Sequence, residues 1–113
     1  MTFLLHITQA EAWQTAVAEG EYCPLSFAEE GFIHCSTVAQ VLLPANAHYQ
    51  GQDNLVLLCI EPDRVQAAIV YEDCYQSGQA FPHIYGPLNI DAVTKVVPFP
   101  PDADGTFSLP ASL

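Results

Sequence analysis

Three of the four histidines occupy equivalent settings. His6, His34 and His83 each lie at the end of an apolar run or beside a turn, and each is followed two residues later by a hydroxyl side chain: Thr8, Ser36 and Tyr85. An imidazole gives and takes protons near neutral pH. Side chains two apart on a strand face the same way, so each histidine shares its face with a hydroxyl. One such histidine is ordinarily a structural residue that satisfies a backbone carbonyl. Three in one setting predict a shared polar cleft, with His6, His34, Ser36, His83 and Tyr85 converging on it and Cys35 and Ile84 turned toward the core. The fourth, His48, has no such setting and reads as solvated. Glu72 ends a strand ahead of a loop, where a carboxylate can reach a ligand hydroxyl; the plain alternative is one solvated acid among thirteen. Tyr85, at a Gly-Pro turn, can stack on a ring and still donate a hydrogen bond.

Two other chemistries fit the residue types less well. His6, His34 and His83 with Cys35 could supply nitrogen and sulfur to a metal, but no two of them share a compact ligand spacing, so no metal is expected. Cys35 has a histidine and a helix start beside it, as a reactive thiolate requires, yet its predicted direction is inward. Cys23, Cys35, Cys59 and Cys74 include no Cys-x-x-Cys pair and lie mostly in or beside apolar runs, which predicts reduced thiols in a cytoplasmic protein.

The elements that must position these groups are legible as periodicities. Residues 2–7 read as a strand with Phe3, Leu5 and Ile7 on one face and Leu4 and His6 on the other. Thr8 and Glu11 have capping-box spacing, Ala10, Trp13, Ala16 and Val17 form a helical apolar face, and Gly20 ends that helix. Residues 21–30 read as a connection. The stretch Gly31-Phe32-Ile33-His34-Cys35-Ser36-Thr37 is a short strand running into a second helix, capped by Ser36 or Thr37 with Gln40. The apolar set of that helix is Val38, Val41, Leu42, Ala45 and Tyr49, and Pro44 should kink or end it. Residues 55–60 are apolar throughout, as in a strand buried on both faces. Further strands are predicted at 67–71, 81–88 and 93–99, with a loop at 73–79. Two helices early and several strands late predict an α+β fold.

The chain has 113 residues, one domain's worth, with residues 100–113 forming a proline-containing tail after a domain at 1–99. Thirteen acidic residues face only Arg64 and Lys95, a formal net charge of −11. Such a surface repels phosphate backbones and anionic membranes, so neither nucleic acid nor membrane is an expected partner. No window has the length of a membrane span, and the apolar start lacks the basic flank and length of a signal peptide. A small-molecule or nucleotide ligand is the partner expected; nothing in the residues specifies a protein partner.

Five segments together resemble the bacterial domain-of-unknown-function family 952: His6-Ile7-Thr8, the stretch from Ala28 to Ser36, Val56-Leu57-Leu58, Tyr71-Glu72-Asp73, and Phe81-Pro82-His83-Ile84-Tyr85-Gly86-Pro87-Leu88. The resemblance runs from about Phe3 to Val97. It implies an architecture similar to that of the ADP-ribosyltransferases, a split, bent antiparallel β structure around a nicotinamide-dinucleotide cleft. In active members of that superfamily an early strand carries His or Arg, a middle strand Tyr, Ser or His, and a late strand commonly Glu. By resemblance His6, His34 and Glu72 would be the catalytic positions, with Thr8, Ser36, Thr37, His83 and Tyr85 binding ligand. NAD would be substrate or ligand, and an inactive binding or regulatory module with the same cleft is the alternative. Related RNA 2′-phosphotransferases need basic groups that two cationic residues cannot supply. A pyrophosphate could instead rest on backbone N–H groups at residues 36–38.

Overall fold

A computed structural model describes residues 3–73, 76 and 78–113. In chain order its elements are β1 (Leu4–Gln9), α1 (Ala10–Glu19), β2 (Glu21–Tyr22), α2 (Leu25–Glu30), β3 (Ile33–His34), α3 (Leu42–His48), β4 (Leu55–Ile60), β5 (Ala68–Glu72), β6 (Phe81–Tyr85), β7 (Leu88–Asn89) and β8 (Val93–Pro98). The strands form three small antiparallel sheets, ordered β1-β4-β8, β2-β7 and β3-β6-β5. The class is α+β.

β4 is the buried centre, every one of its side chains removed from solvent. Val56, Leu58 and Ile60 join a core with Leu4, Ile33, Cys35 and Ile84, while Leu55, Leu57 and Cys59 join a second core with Leu5, Ile7, Val97 and Phe99. A strand with apolar residues on both faces is stable only between two such layers. The first and third sheets are joined at one point, where Leu5 and Ser36 exchange backbone hydrogen bonds of 2.7 and 2.8 Å. The expected alternation of β1, with Leu5 and Ile7 opposite Leu4 and His6, holds.

The helices differ from expectation in number and limits: three α-helices among the described residues, with short 3-10 turns at Pro62–Arg64 and Ile90–Ala92. Residues 21–30 hold β2 and α2 rather than a bare connection. α2 starts after Pro24, whose φ of −68° suits a helix start, and stops at Gly31, whose φ of 80° lies in the left-handed region. It buries no residue, so it leaves no apolar periodicity to read. Thr8 does not cap α1: the N-cap position is Gln9, without a side-chain hydrogen bond, because Thr8 is still a β1 residue. Val17 is 52 % exposed, off the face that Ala10, Trp13 and Ala16 present to the core.

Pro44 neither kinks nor ends a helix. It sits in the first turn of α3, where no intrahelical N–H is needed, and residues 38–41 form a turn ahead of it. Gln40 still reaches back to the Thr37 N–H at 3.2 Å, one half of the expected capping box. Val38, Val41, Leu42, Ala45 and Tyr49 all pack into the second core as their spacing predicts. Residues 100–113 run back over that core, with Phe107 buried and stacked on Phe99 at a centroid separation of 4.7 Å. Residues 74, 75 and 77 of the expected loop, Cys74 among them, lie outside the described set.

Candidate functional site

The outward face of the β3-β6-β5 sheet carries the chemistry. β3 pairs with β6 so that His34 stands opposite His83, and Val70 of β5 stands opposite His83 on the other side. Cross-strand partners share a face, so His34, His83, Tyr85 and Glu72 project outward, with Phe32 packed against His83, while Ile33, Ile84 and Ile69 pack inward. The rings of His34 and His83 meet edge-on, centroids 5.1 Å apart. Phe32 stacks on His83 at 4.0 Å with planes 13° apart, and its ring also lies 4.8 Å from His34 and 5.4 Å from Tyr85.

Carboxylates hold both histidines. Glu72 Oε1 receives hydrogen bonds from His83 Nδ1 at 2.9 Å and from the Tyr85 hydroxyl. These bonds, Tyr85 first and His83 second, hold the Glu72 carboxyl below the usual carboxylate range. A carboxylate only accepts, so His83 carries its proton on Nδ1. Glu30, in the last turn of α2, accepts from His34 Nε2 at 2.7 Å. His83 is fully buried, whereas Tyr85 is 40 % exposed and the His34 side chain 32 %. The result is an oriented acid–imidazole pair beneath a surface on which a second imidazole and a phenol are partly exposed.

His6 lies elsewhere. Its Nδ1 is 2.5 Å from the His34 carbonyl and its Nε2 is 2.7 Å from the Tyr22 hydroxyl, which lies 2.9 Å from Thr8 Oγ1. Burial, the dominant cause, pushes the His6 pKa down to about 4 and so keeps the ring neutral. A neutral ring facing a carbonyl through Nδ1 must bear its proton there. Nε2 is therefore the acceptor, and Tyr22 donates to it. This chain of groups supports the His34 backbone from behind. His6 and Thr8 are thus separated from the outward face, against the expectation of one converging set.

Ser36 is also buried, its main chain bridging to Leu5. Thr37 lines a different cleft of about 320 Å³, with Phe3, Leu4, Val38, Ala39, Pro62 and Tyr71. The backbone cradle expected at residues 36–38 is largely engaged: Ser36 N–H donates to Leu5 and Thr37 N–H to Gln40. Cys35 is buried, which raises its thiol pKa, and no group of three or more His, Cys, Asp or Glu among the described residues is arranged to hold a metal ion. His48 is exposed at the end of α3. Phe32, Glu30 and Tyr22 were not singled out by sequence. The position of Phe32 two before His34 on a strand was a usable signal, whereas Glu30 and Tyr22 reach their partners only through the fold.

The fold and this face define a small α+β protein with a histidine–carboxylate surface on a three-stranded sheet. The chain belongs to the family described as protein of unknown function DUF952, whose model matches residues 7–96. It is similar to protein CC0527 from Caulobacter crescentus, with 33 % identity over 96 % of this chain and 95 % of that one, and a TM-score of 0.86 to the crystal structure. The solution NMR structure of CC0527 matches with a TM-score of 0.84, at 33 % identity, over 100 % of this chain and 97 % of that one. No curated protein matches the chain. No helix among the described residues is long and apolar enough to cross a membrane.

Proposed function

We propose that the outward face of the β3-β6-β5 sheet binds and processes a small N-ribosyl ligand of the NAD type, in a cleft of ADP-ribosyltransferase character. The observation that carries this is the state of Glu72. His83 and Tyr85 pin one carboxylate oxygen, while Oε2 has no hydrogen bond among the described residues. Cleavage of an N-ribosyl bond develops positive charge on the ribose. A fixed carboxylate that accepts from a ribose hydroxyl stabilises that charge without having to reorganise. His34 and Tyr85 border the same surface and orient the ligand on it.

A second reading, a binding module without turnover, is favoured by His6. The first catalytic position implied by resemblance is buried and hydrogen-bonded on both ring nitrogens. Thermal-shift titration with NAD, nicotinamide and ADP-ribose, followed by a glycohydrolase assay, separates the two. Glu72→Gln is expected to lower turnover by roughly 100-fold or more. Binding without turnover selects the module. No shift with any of the three ligands overturns both.

A further inference from the structure

We infer that the group this face recognises is an organic cation, a positively charged N-linked aromatic ring, and that phosphate is not among the groups it holds. The inference rests on the N-ribosyl reading above and narrows its substrate class.

Phosphate is held by cationic side chains or by unengaged backbone N–H groups. The chain has only Arg64 and Lys95 as fixed cations. Arg64 donates to the Asp91 carbonyl at 3.4 Å. Lys95 lies on β8 opposite Cys59, in the other large sheet, and its ammonium donates to the Ser112 carbonyl. The strand-to-turn junction that follows His34 is the natural backbone cradle beside the face. Two of its three N–H groups already donate, Ser36 to Leu5 at 2.8 Å and Thr37 to Gln40 at 3.2 Å.

The face offers the opposite chemistry. The Phe32 and Tyr85 rings stand 5.4 Å apart at 50° to each other and form an aromatic corner. Glu72 and Glu30 flank it, bonded to His83 and His34 and with side chains 31 % and 38 % exposed, so their charge reaches the surface. Aromatic faces bordered by carboxylates attract cations through ring quadrupole and charge together. The net charge of −11 adds a long-range field of the same sign, which draws cations in and repels pyrophosphate.

Calorimetric titration of the wild-type protein at pH 8, above the ordinary histidine range, tests this directly. The probes are nicotinamide riboside, its dihydro form (the same ribose and ring without the charge), NAD, ADP-ribose and 1-methylnicotinamide (the charged ring without the ribose). The riboside should bind at least about tenfold more tightly than its neutral dihydro form. NAD should bind more weakly than the riboside, and added salt should weaken riboside binding. Glu30→Gln and Glu72→Gln, checked by thermal melting, should each reduce riboside affinity. Equal binding of the dihydro form, or tighter binding of NAD or ADP-ribose, overturns the inference; the latter leaves the N-ribosyl reading standing. Binding of 1-methylnicotinamide without any riboside or nucleotide leaves the cation inference standing and overturns the N-ribosyl reading. Silence from all five probes overturns both.

Discussion

His6 is buried and is bonded through Nδ1 to the His34 carbonyl and through Nε2 to the Tyr22 hydroxyl. Its pKa falls from 6.5 to about 4, with burial as the main cause. The unfolded chain therefore takes up a proton between these values that the folded chain refuses. This contribution to stability is fully present above pH 6.5 and is lost progressively as pH falls toward about 4, a change of roughly 3 kcal/mol. Urea unfolding from pH 7.5 down to 4.5 should show it. His6→Asn, which keeps an amide donor toward the His34 carbonyl, should flatten the slope and cost about 1–3 kcal/mol at pH 7 by breaking the buried hydrogen bond between the ring and Tyr22. An unchanged slope in that variant would contradict the buried neutral imidazole. At this scale the sequence marked His6 as one of three like histidines. Its residue type carried no sign of whether the ring meets a ligand or a carbonyl.

β3, β6 and β5 show what a strand pattern settles. Alternation put His34 opposite in direction to Cys35, and His83 and Tyr85 opposite to Ile84, because side chains on a strand reverse at every residue. Pairing His34 with His83 needed the register, which Ile33 and Ile84 set by sharing the inner core. The end of β6 depends on a close approach. A Cβ on Gly86 would stand 2.8 Å from the Cβ of Ala67, nearer than side chains tolerate. Gly86→Ala is expected to destabilise the protein by about 1–3 kcal/mol and to displace Tyr85 from Glu72. Adding Ala67→Gly should recover most of that loss, as measured by chemical denaturation of the double variant. A double variant no more stable than Gly86→Ala alone would place the strain elsewhere. The short α2 had no buried residue to register as a period, and Pro44 fixed where α3 begins by a backbone constraint, not an apolar one.

At the scale of the whole molecule, β4 separates two cores, and the C-terminal residues close the second one through Phe107 on Phe99. Asn46 ties that closure down, donating to the Phe107 carbonyl and accepting from its N–H at 2.8 Å. Phe107→Ala should lower stability by about 3–5 kcal/mol, read from the midpoint and slope of urea unfolding. A loss under about 1 kcal/mol would show that residues 100–113 do not seal the core. The unbroken apolar run at 55–60, the alternating strands around it and the net charge of −11 were decided along the chain, because burial on both faces, pleat direction and long-range field follow from residue type and spacing alone. The separation of His6 from His34 and His83, the grip of His83 and Tyr85 on Glu72, and the reach of Glu30 back to His34 came only with the tertiary structure. Each depends on which strands pair and in what register, and therefore on contacts between residues distant in sequence.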